Sequence, residues 1–364
     1  MEYLHNLLKF ALNMGASDIH VKPDAPATIR VSGELHPVQE VTPTDAQVQE
    51  MIKQMIPRHL ETRLEREKEV DFSYAAPGLG RFRVNVFHQR GQLCLAMRYV
   101  KAAIPSFKEL HLPEQIAKIA GAPRGIILVC GTTGCGKSST LAAMIEYINQ
   151  TEKCHVITLE DPIEYVFDDR LSVIEQREIG LDTLSFERAL AHVMRQDPDV
   201  IMIGEMRDSQ SFMAALAASD TGHLVLTTLH TTTAYQAIGR ILDFFPAQER
   251  DQIRRQIANN LQAVICQRLV PAVAGSVVPA VEIMINTPTV RKLIEDNRLD
   301  KLSAAIETGT EDGMQTFNQS LFKLVKAKMI SEEHALAQAS NPDALRMNLK
   351  GIFLDESRRI LASA

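Results

Sequence analysis

The apolar run Gly125-Ile126-Ile127-Leu128-Val129-Cys130 passes directly into Gly131-Thr132-Thr133-Gly134-Cys135-Gly136-Lys137-Ser138, and a helix-like stretch follows from 139 to 150. Few features restrict a fold as tightly. A buried strand, a G-x-x-x-x-G-K-[ST] loop and a helix, in that order, form a phosphate-binding P-loop. The glycines let successive backbone N–H groups turn inward onto a polyphosphate, and the helix N-terminus adds its positive end. Gly131, Thr132, Thr133, Gly134, Cys135, Gly136, Lys137, Ser138 and Ser139 are therefore the candidate nucleotide-binding residues. Lys137 is expected on the β- and γ-phosphates and Ser138 on Mg²⁺.

A P-loop needs a sheet around it, and the chain after residue 113 alternates strand with helix. Buried-strand patterns lie at 126–130, 155–159, 200–204, 223–229 and 280–285, with helical patterns at 137–150, 185–196, 209–220 and 232–244. That order predicts a largely parallel sheet flanked by helices. Only helical patterns follow residue 289, ending in a polar tail.

The first hundred residues read as a separate α+β domain. Leu4, Leu7, Leu8, Ala11 and Leu12 recur at helical spacing up to Gly15. The segments 18–21 and 28–31 alternate as strands, with Ser32-Gly33 as a turn, and two polar-faced helices are expected between Thr44 and Glu69. From 71 to 100 the strand pattern returns, and Arg81, Arg83 and Asn85 fall on one face of a cleanly alternating segment. An antiparallel sheet with helices on one side is the natural assembly. A linker is expected at 101–113, where two prolines interrupt any periodicity.

Composition narrows the function classes. With 45% hydrophobic and 23% charged residues the chain is an ordinary globular protein, and a net charge of −6 argues against nucleic acid as a partner. No apolar run reaches the ~18–20 residues of a membrane span, so no direct membrane insertion is expected. The N-terminus lacks the pattern of a signal peptide. Five scattered cysteines (94, 130, 135, 154, 266) with no C-x-x-C pair read as reduced thiols of a cytoplasmic protein.

Chemistry at the phosphate would come from neighbouring strand ends. Val200-Ile201-Met202-Ile203-Gly204-Glu205 is an apolar strand ending in a carboxylate, which makes Glu205 a candidate for the Mg²⁺ shell, directly or through water. Leu159-Glu160-Asp161-Pro162-Ile163-Glu164 offers Glu160 and Glu164 as competing bases to orient water. His223 and His230 bracket another strand; His230 is the candidate γ-phosphate sensor, and no third ligand supports a zinc site.

With these elements placed, the chain resembles the secretion ATPase superfamily of type II secretion and type IV pilus motors, from about Met14 to Lys350. The loop 131–138 is similar to its Walker A, and Leu159-Glu160-Asp161-Pro162-Ile163-Glu164-Tyr165 to its acidic box. The segment from Arg195 through Glu205 to Asp208 is similar to its Walker B, and 221–231 to its histidine box. The resemblance implies an α/β fold with a RecA-like P-loop ATPase core (114–288), an N-terminal PAS-like α+β domain (1–100), and a C-terminal helical segment (289–364). It implies ATP and Mg²⁺ as cofactors and moves the expected catalytic base from Glu160 to Glu164. It also implies a homo-hexamer in which Arg81, Arg83 and Arg98 act on a neighbour's γ-phosphate.

Within the family, Gly313-Met314-Gln315-Thr316-Phe317-Asn318-Gln319 and Phe244-Phe245-Pro246 are similar to the twitching-motility retraction branch. That branch implies a motor of pilus retraction on the cytoplasmic face of the inner membrane. Its implied partners are a membrane platform protein and a paralogous ATPase. The additional N-terminal domain and four-cysteine module of extension and secretion motors are not expected. Thr289-Val290-Arg291-Lys292-Leu293-Ile294 departs from that branch's Ala-Ile-Arg-Asn-Leu-Ile-like element, leaving principal motor and accessory paralogue both open. A RecA-like nucleic-acid translocase and a non-hydrolysing nucleotide-binding partner are the competing readings. Cys135 replaces a serine-like residue; beside Lys137 and a helix N-terminus its thiol is expected to have a depressed pKa and raised reactivity.

Overall fold

The computed structural model of the chain describes residues 2–31, 33–38, 42–100 and 103–352. Ser32 of the expected turn, residues 101–102 of the expected linker and the expected tail beyond 352 lie outside the described residues. Contacts divide the chain into two compact units, one of residues 1–103 with 161–166 and 178–182, the other of the remainder.

In the first unit, α1 (Glu2–Asn13) buries Leu4, Leu7, Leu8 and Ala11, one helical face. Strands β1 (Asp18–Val21), β2 (Ala27–Val31) and β3 (Glu34–Val38) precede α2 (Asp45–Met55) and α3 (Arg58–Glu67). Thr44 and Gln47 form a reciprocal capping box that starts α2. Three longer strands follow, β4 (Glu69–Ala76), β5 (Gly80–Gln89) and β6 (Gln92–Val100). The sheet order is β3-β2-β1-β6-β5-β4, with every pairing antiparallel. Phe82, Val84 and Val86 of β5 are fully buried, so the intervening Arg81, Arg83 and Asn85 occupy the opposite face. β3, with Pro37 and four exposed residues, is a sheet edge absent from the sequence expectation.

The second unit begins with α4 (Gln115–Ala120), β7 (Gly125–Cys130), α5 (Lys137–Thr151), β8 (His155–Glu160) and β9 (Val173–Glu178). It continues through α6 (Phe186–Val193), β10 (Val200–Ile203), α7 (Ser209–Asp220), β11 (Leu224–Leu229), α8 (Ala234–Asp243) and α9 (Arg250–Asn260). β12 (Leu261–Pro271) and β13 (Val277–Ile285) complete a seven-stranded sheet in the order β13-β12-β7-β11-β10-β8-β9. β12, β7, β11, β10 and β8 run parallel, while β13 pairs antiparallel with β12. All residues of β7, β10 and β11 are buried, as strands covered on both faces require. Helices α10 (Pro288–Glu295), α11 (Leu302–Thr308), α12 (Phe317–Lys326), α13 (Glu332–Gln338) and α14 (Pro342–Leu349) follow, with an isolated bridge from Gln315 to Ile283 between α11 and α12. Among the described residues no helix is long and apolar enough to cross a membrane.

Four elements of this unit lie outside the sequence expectation: α4, β9, α9 and β12. β12 follows α9 with no intervening residue, so no turn signal marks its start. Its partner β13 carries Glu282, a buried carboxylate that accepts the Ala234 N–H at 2.9 Å and so caps the first turn of α8. Burial pushes the Glu282 carboxyl up, against the pull of the Ala234 bond and the Arg268 guanidinium. The folded state therefore holds this proton more tightly than the unfolded chain. Wild-type stability relative to Glu282→Gln should fall as pH rises from the ordinary 4.5 through the raised value, then level off. Thermal unfolding of both proteins between about pH 4 and 8 measures this; a gap independent of pH, or one growing in favour of wild type with pH, contradicts it.

Candidate nucleotide site

Because β7, β8, β10 and β11 are parallel, their C-terminal ends meet one edge of the sheet. The phosphate loop leaves β7 there, Glu160 ends β8, Glu205 follows β10 and His230 follows β11. Ligands of open α/β sheets bind at such an edge.

The loop itself has the conformation a polyphosphate needs. Gly131 has φ +148, and a Cβ there would strike the Cys135 sulfur and approach the Gln267 carbonyl of β12 to 2.8 Å. Gly136 caps α5 with φ +92 and supplies no side chain to the helix N-terminus, so the first-turn N–H groups have no capping oxygen from it. Thr132, Thr133 and Gly134 are exposed, while Gly136, Ser138 and Ser139 are half-buried. Lys137 is 9% exposed, and its ammonium donates to the carbonyls of Gly131 (2.9 Å) and Thr132 (3.1 Å). The donor set is therefore N–H groups, an ammonium and the Ser138 hydroxyl, which fits a nucleotide polyphosphate.

The other candidate residues are organised differently from one another. Glu205, half-buried, accepts from Arg207 at 2.8 Å, and its other oxygen lies 3.4 Å from His230 Nε2. Thr228 Oγ1 donates to the Gly204 carbonyl at 2.7 Å and braces the turn that carries Glu205. Glu160 is buried and accepts from Thr158 Oγ1 (2.7 Å) and Gln176 Nε2 (3.1 Å). Glu164 is exposed and belongs to the N-terminal unit, as do the three arginines. His223 binds locally, to Thr221 and the Ala218 carbonyl, at the opposite end of β11 from His230, about 20 Å away along an extended strand. Among the described residues no group of three or more His, Cys, Asp or Glu could hold a metal ion.

The arginines of the first unit also divide. Arg81 is ion-paired to buried Glu178 at 2.8 Å, and Arg98 to Asp18 at 2.7 Å. Burial alone would raise the Asp18 carboxyl; bonds from Ser17 and Arg98 outweigh it and hold the group below its ordinary range. Arg83 stands opposite Arg98 in register and is exposed, with no ion pair among the described residues. Residues that the sequence did not single out are Glu178, Gln267, and Arg207 as the partner of Glu205. Only Arg207 had a signal, its place two residues after Glu205.

The expectation for Cys135 is overturned. Its thiol is 4% exposed, packed beneath Gly131, and burial pushes its pKa up despite the opposing pull of Lys137 and nearby backbone groups. Desolvation disfavours the thiolate more than one ammonium favours it. Cys135 of the folded chain should therefore alkylate more slowly at neutral pH than the same cysteine in denaturant. Peptide mapping after timed iodoacetamide treatment reads this directly, and equal rates in the two states would refute it.

The model of the family described as "Type II/IV secretion system protein" matches residues 1–347. The "Type IV pilus retractation ATPase PilT" of Pseudomonas aeruginosa is 41% identical over 337 residues, 93% of this chain and 98% of that protein. The "Type IV pilus ATPase PilU" of the same organism is 39% identical over 351 residues, 96% of this chain and 92% of that protein. A crystal structure of the pilus retraction motor PilT with bound ADP superposes with a TM-score of 0.87 at 42% identity, covering 93% of this chain and 97% of that one. The chain belongs to the Type II/IV secretion system protein family, as an ATPase of the PilT/PilU type.

Proposed function

We propose that this chain is a homo-hexameric, Mg²⁺–ATP-hydrolysing motor of type IV pilus retraction, with a RecA-like core and a PAS-like N-terminal domain. The observation that carries this reading is the single sheet edge at which the phosphate loop, Glu205 and His230 gather. Near-full-length similarity to a pilus retractation ATPase supports it. Similarity of almost the same degree to the PilU relative favours the accessory motor as the second reading. Its place of action would be the cytoplasmic face of the inner membrane, against a platform protein. Retraction in a deletion strain complemented with this chain, in place of either the principal or the accessory motor, separates the two.

In this mechanism Lys137 exchanges its two loop carbonyls for the β- and γ-oxygens, while the loop N–H groups hold the remaining phosphate oxygens. Ser138 and Glu205 would hold Mg²⁺, which offsets phosphate charge when bound. Glu164 orients the attacking water, and His230, beside Glu205, senses the γ-phosphate. Arg83 supplies positive charge to the site of the next subunit, with Arg81 and Arg98 flanking it on the same sheet. Glu160, already committed to Thr158 and Gln176, keeps the strand end in shape.

Lys137→Ala should weaken ATP binding by about ten- to a hundredfold, the worth of a charged hydrogen-bonding group. Glu164→Gln should bind ATP normally and turn over at least about a hundredfold more slowly. Equilibrium binding and steady-state hydrolysis measure both, and wild-type hydrolysis by Glu164→Gln removes it from the mechanism.

Arg83→Ala should lower turnover by about a thousandfold with a smaller effect on affinity. Each of Arg83→Ala and Lys137→Ala lacks a different half of a shared site. Mixed rings should therefore recover hydrolysis that neither variant has alone. Assembled mixtures without any recovery would place Arg83 outside the neighbour's site.

A further inference from the structure

Glu178, the last residue of β9, is 3% exposed and is grouped with the N-terminal unit rather than with the rest of its strand. A carboxylate so buried is retained only where donors replace water. Here three donors converge on one oxygen. Oε2 accepts from Ser73 Oγ of β4 at 2.7 Å, from the Arg81 guanidinium of β5 at 2.8 Å, and from the backbone N–H of Ile163 at 3.1 Å. The residue's own N–H donates to Asp182 Oδ2 at 2.8 Å, and the ring of His59 in α3 lies 3.2 Å from the Gly180 carbonyl, so the segment after Glu178 is closed on itself and held against α3.

Ile163 immediately precedes Glu164. The Ile163 side chain is 3% exposed, its N–H is held by Glu178, and the next residue turns out to solvent. We infer that Glu178 is a positioning residue: it fixes the Ile163 peptide and so sets the direction from which the Glu164 carboxylate is presented. Arg81 serves this carboxylate and not a neighbour's phosphate. Its guanidinium neutralises the buried charge that grips the segment 161–166, and Arg83 is left as the outward-facing cation of the strand. The inference rests on the assignment of Glu164 proposed above.

A fixed carboxylate matters because displacement of a water-orienting group by about 1 Å costs on the order of a hundredfold in rate. Glu178→Ala should lower kcat by about ten- to a hundredfold and leave KM for ATP within about twofold. Hydrogen–deuterium exchange should rise within 161–166 and stay unchanged in the β7 peptide. Glu178→Gln keeps an oxygen that can accept from Ile163 and Ser73, and should recover most of kcat and of the amide protection. Wild-type kcat in Glu178→Ala, unchanged exchange across 161–166, or a Gln variant no better than Ala would overturn the inference.

Should Glu178→Ala fail to fold, the wild-type chain carries its own test. The Ile163 amide must exchange far more slowly than that of Glu164, and exchange of both at the rate of an open loop would overturn the inference. Glu164→Gln, assayed beside these proteins, separates the two readings. Normal hydrolysis by Glu164→Gln overturns the role of Glu164 whatever Glu178 does. Slow hydrolysis by Glu164→Gln with a normal Glu178→Ala overturns the positioning role alone.

Discussion

The pairing of β7 with β11 governs how the nucleotide edge is assembled. Gly125 lies opposite Leu224 and Cys130 opposite Leu229, and all residues of both strands are buried. An apolar run covered on both faces does not choose its own register, since a slip of one residue leaves it equally apolar. The ends make the choice. Gly125 N–H bonds the His223 carbonyl at 3.0 Å, and Gly131 N–H bonds the Leu229 carbonyl at 3.2 Å. The second of these bonds joins the first loop glycine to the residue before His230, so alignment of the strands and alignment of the chemistry are one event.

Carboxylates of this molecule are sorted by the donors they meet. Glu160 is enclosed by a hydroxyl and an amide, Glu282 by a helix N–H and a nearby guanidinium, Glu178 by a guanidinium, a hydroxyl and an N–H. All three are buried, and each braces a segment. Glu164 remains in contact with solvent, and Glu205 is half-buried between Arg207 and His230. These three bracing acids are dry, whereas Glu164 and Glu205, the acids proposed to act on the nucleotide, keep access to water.

This sorting explains what could be read in advance. The strands carrying the site were legible because both of their faces are apolar, as in 125–130 and 200–203, and the loop was legible because its glycines and lysine have no other common use. β12 was not. It starts where α9 stops and mixes Gln262, Gln267 and Arg268 into its apolar run, so neither a turn nor a period announces it. The error over Cys135 has the same origin. Lys137 and the helix end are visible nearby in sequence, but the lid over the thiol includes the flank of Gly131 against Gln267, which arrives more than a hundred residues later. Glu178, set among Gln176, Arg177 and Ile179, looks like a surface charge until the sheet beside it is known.

The seam between α9 and β12 has a mechanical meaning. Asn260 ends the helix with its side chain bonded to Ser219 and Asp220 of α7, and Asn286 Nδ2 clasps the Ala258 and Leu261 carbonyls across the junction, each at 2.8 Å. From there β12 runs alongside β7 to Gln267, whose carbonyl abuts Gly131. Along this line the pairing shifts register between Leu261 and Ala263. The end of α9 thus hands its alignment directly to the strand that flanks the phosphate loop, with no connecting loop between them.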